Sequence, residues 1–97
     1  MKKPKRSPAS YAAAAARMKA LAHPVRLRIL ARLSESACCV AKATECLGVS
    51  QPNASQHLKA LREAGLIVGS RQGARICYRI ADGRISALLP ILLKGSD

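Results

Sequence analysis

CLGVSQPNASQHLKALR, residues 46–62, carries a turn, a helix cap and an amphipathic helix in direct succession. Gly48 stands where one helix stops and the chain turns. Ser50 can cap the next helix by accepting a hydrogen bond from an otherwise unpaired backbone N–H. Pro52 falls in the first turn of that helix, where its missing donor costs little. Ala54, Leu58 and Leu61 recur at helical spacing as one apolar stripe. The opposite face reads Gln51, Ser55, Gln56, Lys59 and Arg62. A merely solvated face usually carries more Glu and Lys. This one is rich in amides and hydroxyls, which hydrogen-bond base edges, and its two cations suit phosphates. The pattern reads as the second half of a helix-turn-helix whose exposed face is built for DNA, with the helix running over residues 51–64. Gly65 follows, where a left-handed residue is wanted.

Downstream, LIVGSRQGARICYRI (residues 66–80) reads as a hairpin: a strand over 66–70, a turn over 71–74 and a strand over 75–80. The second strand alternates, with Ile76, Tyr78 and Ile80 on one face and Arg75, Cys77 and Arg79 on the other. A hairpin directly after such a helix, with Arg71 and Arg75 flanking its tip, reads as a wing placed to touch DNA backbone or minor groove. An ordinary solvated hairpin is the plain alternative. Asp82 can then cap a last helix, GRISALLPILLKG, which Pro90 should kink or interrupt. Its Ile85, Leu88, Leu89 and Leu92 are too apolar for an exposed terminal helix, so a second subunit is expected to cover them.

Upstream, a short supporting helix is expected over about 39–47, with Val40, Ala43, Thr44 and Leu47 facing the core. A turn at 34–36 precedes it. In VRLRILARL, residues 25–33, the stripe Val25, Ile29, Leu30 and Leu33 marks a helix that Pro24 starts. His23 beside that start reads as structural. The Ala-rich run over 10–22 is a helix on propensity alone, suited to packing or dimerisation. Residues 1–9, with two Pro and four cations, should form a disordered basic arm. It serves either as a solubilising tail or as a contact to DNA. The expected domain is therefore residues 10–94.

Ninety-seven residues make one domain. A chain this short buries only about 60–65% of its unfolded surface, so dimerisation would add useful burial. The net charge of +12, from 17 Lys and Arg against 5 acids, favours a polyanionic partner, nucleic acid before membrane. With 2 Tyr and no Phe or Trp, the chain lacks the stacking platform of a single-strand binder. A basic RNA-binding protein remains a distant alternative, but no double-stranded RNA motif is visible. The apolar run at residues 12–16 is too short for a secretion signal and no transmembrane stretch exists. A cytoplasmic protein with reduced thiols is expected. No paired carboxylates, phosphate loop or Ser/His/Asp set points to catalysis, and Cys38-Cys39 lacks the spacing of a redox enzyme. The chain is not read as an enzyme.

Three stretches together resemble the ArsR/SmtB family of bacterial winged-helix repressors. They are LAHPVRL (residues 21–27), LGVSQPNASQHLKALREAGL (residues 47–66) and RQGARICYRI (residues 71–80). They agree with the family in order and spacing over about residues 17–93. The resemblance implies a mainly α fold with a β-hairpin wing, a winged helix-turn-helix of order α-α-α-α-β-β-α. It implies a homodimer packed through the first and last helices, bound to an inverted-repeat operator in double-stranded DNA and released by an inducer. Carried onto this chain, the DNA contacts fall on Ser50, Gln51, Asn53, Ser55, Gln56, His57, Lys59 and Arg62, and on Arg71, Gln72 and Arg75 of the wing.

The inducer is not fixed by the resemblance. The family's arsenic sensors carry Cys-Val-Cys at the start of the supporting helix. Here Cys39-Val40 matches, Ala41 replaces the second Cys, and Cys38 and Cys46 lie nearby. Arsenite and antimonite are thiophilic and suit three thiolates. On an unbroken helix, however, Cys39 and Cys46 stand roughly 10 Å apart along the axis. A Cys38, Cys39 and Cys46 site therefore needs unwinding, or help from the other subunit. Such distortion would itself move the recognition helix. Thiol oxidation or persulfide sensing, and inert, partly buried thiols in a repressor independent of an inducer, stay open as alternatives, and DNA binding itself is expected to require no cofactor. The family's zinc site across the last helices is not expected, since Arg84 stands where His belongs. Its persulfide-sensing Cys pair is not expected either, since Ala31 holds the first place. Cys77 is unassigned.

Overall fold

Each well-formed helix starts where the sequence supplies a side-chain acceptor. The computed structural model describes residues 6–35, 38–39 and 48–95. Its elements are α1 (Pro8–Leu21), α2 (Pro24–Glu35), β1 (Cys38–Cys39), α3 (Gln51–Glu63), β2 (Ile67–Gln72), β3 (Arg75–Ile80) and α4 (Gly83–Leu93). Ser7 Oγ accepts from the Ser10 amide at 3.2 Å and opens α1, with Pro8 in the first turn. The helix thus takes in the end of the expected disordered arm, because Ser-Pro is itself a helix start. Residues 1–5 of that arm lie outside the described residues. His23 Nδ1 accepts from the Val25 amide at 3.1 Å and does the same for α2. That helix runs on through Ser34 and Glu35, where a turn was expected. Ser50 Oγ accepts from the Asn53 amide at 3.3 Å at the head of α3.

The helical stripes meet in one core. Ile29, Leu30 and Leu33 of α2, Ala54, Leu58 and Leu61 of α3, Leu66 and Ile67 at the entry to β2, Tyr78 of β3, and Ile85 and Leu89 of α4 are buried. Val25, expected in the stripe, is only half-buried at the edge. Gly65 adopts φ +76° and lets the chain leave α3 straight into β2, which a left-handed residue permits without strain.

Strands β2 and β3 form an antiparallel hairpin in register from Ile67↔Ile80 to Gln72↔Arg75. The turn is Gly73-Ala74 alone, with Gly73 at φ +64°. It is tighter than the four residues expected, because Gly at the first central position suits a two-residue hairpin loop and lets β2 run two residues further, to Gln72. The edges of the Tyr78 ring and the Ile76 side chain lie where a Cβ on Gly69 would sit, 3.0 Å from each. Gly69 thus makes room for Tyr78 to fold over the sheet into the core.

A third strand departs from expectation. β1 pairs antiparallel with β3, giving the order β1-β3-β2, with Cys38 opposite Tyr78 and Cys39 opposite Cys77. The supporting helix therefore does not begin at Cys39; pairing with β3 holds that residue extended. The rest of that helix, residues 40–47 with Cys46, lies outside the described residues. In α4 the helix continues through Pro90 to Leu93 without the expected interruption. Only the Ser86 carbonyl loses its donor there, and Ser86 is exposed to water. Ile91, Leu92 and Leu93 are exposed at the end of α4, as are Tyr11 and Met18 on α1. Among the described residues no helix is long and apolar enough to cross a membrane.

Candidate nucleic-acid interface

The buried stripe of α3 fixes which residues face outward. With Ala54, Leu58 and Leu61 at 0%, 2% and 0% exposure, α3 cannot rotate about its axis without losing the core. Gln51, Asn53, Ser55, Gln56, Lys59 and Arg62 are thereby exposed together, as is the capping Ser50. Amides and hydroxyls line the N-terminal and middle turns, where donor and acceptor groups can meet base edges. The cations follow toward the C-terminal end. Lys59 Nζ reaches Glu63 Oε1 at 4.0 Å, both well exposed. A pair so solvated holds Lys59 loosely and leaves it available to a phosphate.

His57 is the exception among the residues expected to contact DNA. It is half-buried, its ring lies 4.3 Å from that of His23, and its Nδ1 accepts from Arg26 Nε at 3.1 Å. Arg26 in turn donates to the Ala20 carbonyl at 3.4 Å. The imidazole therefore ties α3 to the start of α2 and the end of α1 instead of lying in the exposed row. Burial first, then the neighbouring His23 and Arg26 charges, hold its pKa below the ordinary 6.5. The neutral ring, able to accept from Arg26, is the form the fold favours. The spacing already contained this signal: His57 lies three residues after Ala54 and four before Leu61, at the edge of the buried stripe. Arg26 stands likewise beside the apolar stripe of α2, and its part in docking the recognition helix was not read from the sequence.

At the tip of the wing, Arg71 and Gln72 are exposed. Arg71 is opposite Ile76, and Gln72 is opposite Arg75. Successive cross-strand pairs lie on alternate faces. The register thus sets the positions of Arg71 and Arg75 on alternate faces of the ribbon. Gln72 and Arg75 share a face, along which Cys77 Sγ donates to Gln72 Oε1 at 3.6 Å.

The thiols are arranged differently from a helix-start site. β1 sets Cys38 opposite Tyr78 and Cys39 opposite Cys77 in an extended register instead of on one unwound helical turn. Cys46 lies outside the described residues. Among the described residues no group of three or more His, Cys, Asp or Glu is placed to hold a metal ion. Asp82 is committed to structure. Its Oδ1 accepts from the Arg84 amide at 3.1 Å and caps α4, and its Oδ2 meets Arg84 Nη2 at 2.6 Å. These contacts lower its pKa to about 2.

Comparison with known proteins agrees with this architecture. A family model described as a helix-turn-helix domain matches residues 21–69. The HTH-type transcriptional repressor SmtB of Mycobacterium tuberculosis is 43% identical over 72 residues, covering 74% of this chain and 53% of the repressor. The chain thus spans about half the length of that relative. The HTH-type transcriptional regulator YgaV of Escherichia coli is 40% identical over 87% of this chain and 86% of its own. The solution structure of the homodimeric winged helix-turn-helix DNA-binding domain Mb0332 from Mycobacterium bovis, described as a possible ArsR-family transcriptional regulator, superposes with a TM-score of 0.84. It is 31% identical, over 100% of this chain and 90% of that domain. Shared sequence across the helix-turn-helix and a shared fold from α1 to α4 place this chain in the ArsR/SmtB family of winged helix-turn-helix transcriptional regulators.

Proposed function

We propose that the chain binds duplex DNA as a homodimer and represses transcription from an inverted-repeat operator in the bacterial cytoplasm. The observation that carries this reading is the division of α3 into two faces. One is sealed in the core, and the other presents Gln51, Asn53, Ser55, Gln56, Lys59 and Arg62 to solvent, with Arg71 and Gln72 exposed at the tip of the wing. Amides supply base reading and cations supply phosphate attraction, and the net charge of +12 draws the whole molecule to DNA. His57 contributes by holding α3 in place. The residues exposed on α1 and α4 supply the dimer contact.

The repressor lets go when its thiols react. Soft trivalent arsenic or antimony, taken by Cys38, Cys39 and Cys46, is one chemistry. Oxidation is the other, and the register of Cys39 opposite Cys77 favours it. The test is fluorescence anisotropy of the duplex upstream of the protein's own coding sequence. It is titrated with protein under a phosphine reductant, beside a random duplex of equal length, and then with arsenite. Tighter binding to the upstream duplex, lost on thiol modification, is expected. Equal affinity for both duplexes at every salt concentration would remove the operator-reading function.

A further inference from the structure

We propose that Cys39 and Cys77 form a cross-strand dithiol that a peroxide-class oxidant closes to an intramolecular disulfide, and that closing it weakens DNA binding. The second half of the proposal rests on the repressor reading above; the first half does not. The pairing register sets Cys39 of β1 directly opposite Cys77 of β3. Directly opposed positions on antiparallel strands share a face, with Cα atoms about 4.5–5.5 Å apart. Disulfides commonly span Cα separations of about 4.4–6.8 Å. The Cα separation of the pair therefore lies in the range a disulfide spans, and only the Cβ atoms must draw closer.

The face is the accessible one. Tyr78, next along β3, is buried on the other side of the sheet. Ser70, opposite Cys77 on β2, is exposed, as is Arg79, two positions along from Cys77. Cys77 itself is half-buried, so a small oxidant reaches it. The chemistry balances without a metal. The Cys77 sulfur attacks one peroxide oxygen, the O–O bond breaks, and a sulfenic acid and water result. The Cys39 sulfur then attacks that sulfenic sulfur, the S–S bond forms and a second water leaves. Two thiols lose two electrons and two protons, and the peroxide is reduced to two waters.

Two consequences reach the DNA-binding surface. The closed loop from Cys39 to Cys77 encloses the whole of α3, β2 and the wing tip. A disulfide draws its Cβ atoms to about 3.8 Å, closer than the roughly 4.5–5.5 Å of an ordinary cross-strand pair. Bond formation thus shifts the strand that leads toward α3 against the strand that forms the wing. The disulfide also has no S–H to donate, so the 3.6 Å contact from Cys77 Sγ to Gln72 Oε1 is lost and Gln72 is released. Neither Cys38, in register with Tyr78, nor Cys46 is required.

The test treats the full chain, reduced and then freed of reductant, with hydrogen peroxide, followed by alkylation and peptide mapping without DNA. A linked peptide is expected, with fragmentation assigning the bond to Cys39 and Cys77. It should persist in Cys38→Ser and Cys46→Ser, and vanish in Cys39→Ser and Cys77→Ser, with circular dichroism confirming that each variant folds. A bond between Cys38 and Cys39, a bond between subunits, or sulfinic acid without any bond would overturn the dithiol. In parallel, affinity for the upstream duplex should fall by about tenfold on oxidation, within the usual range of coupling between two sites, and recover with dithiothreitol. A linked peptide with unchanged affinity would overturn the coupling. Reduced protein that ignores the duplex would instead be a failure of the repressor reading, and the peptide map would still decide the dithiol.

Discussion

Gln56 and Arg75 are both expected at the DNA surface, and their chemistry separates what each should do there. Gln56 is exposed on α3, and its amide can both donate and accept at a base edge. Replacing Gln56 or its neighbour Ser55 with Ala should weaken binding to the cognate duplex more than to random sequence. For Gln56 the expected selective loss is about 1–3 kcal/mol. Equal losses on both duplexes would remove the residue from base reading. Arg75 follows the wing turn opposite Gln72, and as a cation it is proposed to meet phosphate. Arg75→Ala should weaken both duplexes alike and lower the slope of log affinity against log salt by about 1. An unchanged slope in a salt titration would refute the phosphate contact. Arg71 is not a substitute for Arg75, since the register puts the two on different faces of the ribbon.

At the scale of the elements, α3 is held by an apolar stripe on one side and by the His23, Arg26 and His57 cluster at its edge. The cluster makes docking sensitive to pH in a definite direction. His57 has a folded pKa below 6.5, so near and below that pH the unfolded chain binds more protons than the folded one. The stabilisation is present above pH 6.5 and lost as pH falls through the folded value. The thermal midpoint should therefore drop between pH 7.5 and 5.5, and drop less in His57→Gln; an equal drop in both would take His57 out of the transition. Most of the elements were legible in the chain. Ser50, Pro52 and Gly65 bracket α3, and Ala54, Leu58 and Leu61 set its buried side, because caps and periodicity are local signals. β1 was not legible. Two residues show no period, and Cys38-Cys39 is a strand only because β3, far along the chain, pairs with it. His57 was placed at the DNA surface by resemblance alone; its half-burial and its bond to Arg26 were legible only as a position at the edge of the stripe. The exposed row of α3 was legible because the same stripe that buries one face defines the other.

The molecule as a whole leaves apolar surface that its own core does not use. Ile91 is 70% exposed, Leu92 52% and Met18 68%, on the two helices that close either end of the chain. α1 buries only Ala20 and Leu21 and leaves most of its length in water. A helix that contributes so little to its own core is better explained by a second copy packed along it, with the end of α4 completing the contact. Dimerisation also matches the reading of duplex DNA. Two α3 helices on a two-fold axis meet half-sites about one helical turn, roughly 34–36 Å, apart. Binding of the second half-site is then intramolecular, and linkage of this kind raises affinity by about 10²–10⁴ without any new contact. Leu92→Glu, which places a carboxylate in that surface without touching α3 or the wing, should convert the protein from dimer to monomer in light scattering. The same substitution should cost about 100-fold or more in affinity for the inverted repeat. Its affinity for a single half-site should change little, because each α3 surface stays intact. A monomer that still bound the full repeat at the original affinity would show that each chain reads DNA alone. A variant that stayed dimeric would place the subunit contact elsewhere than the end of α4.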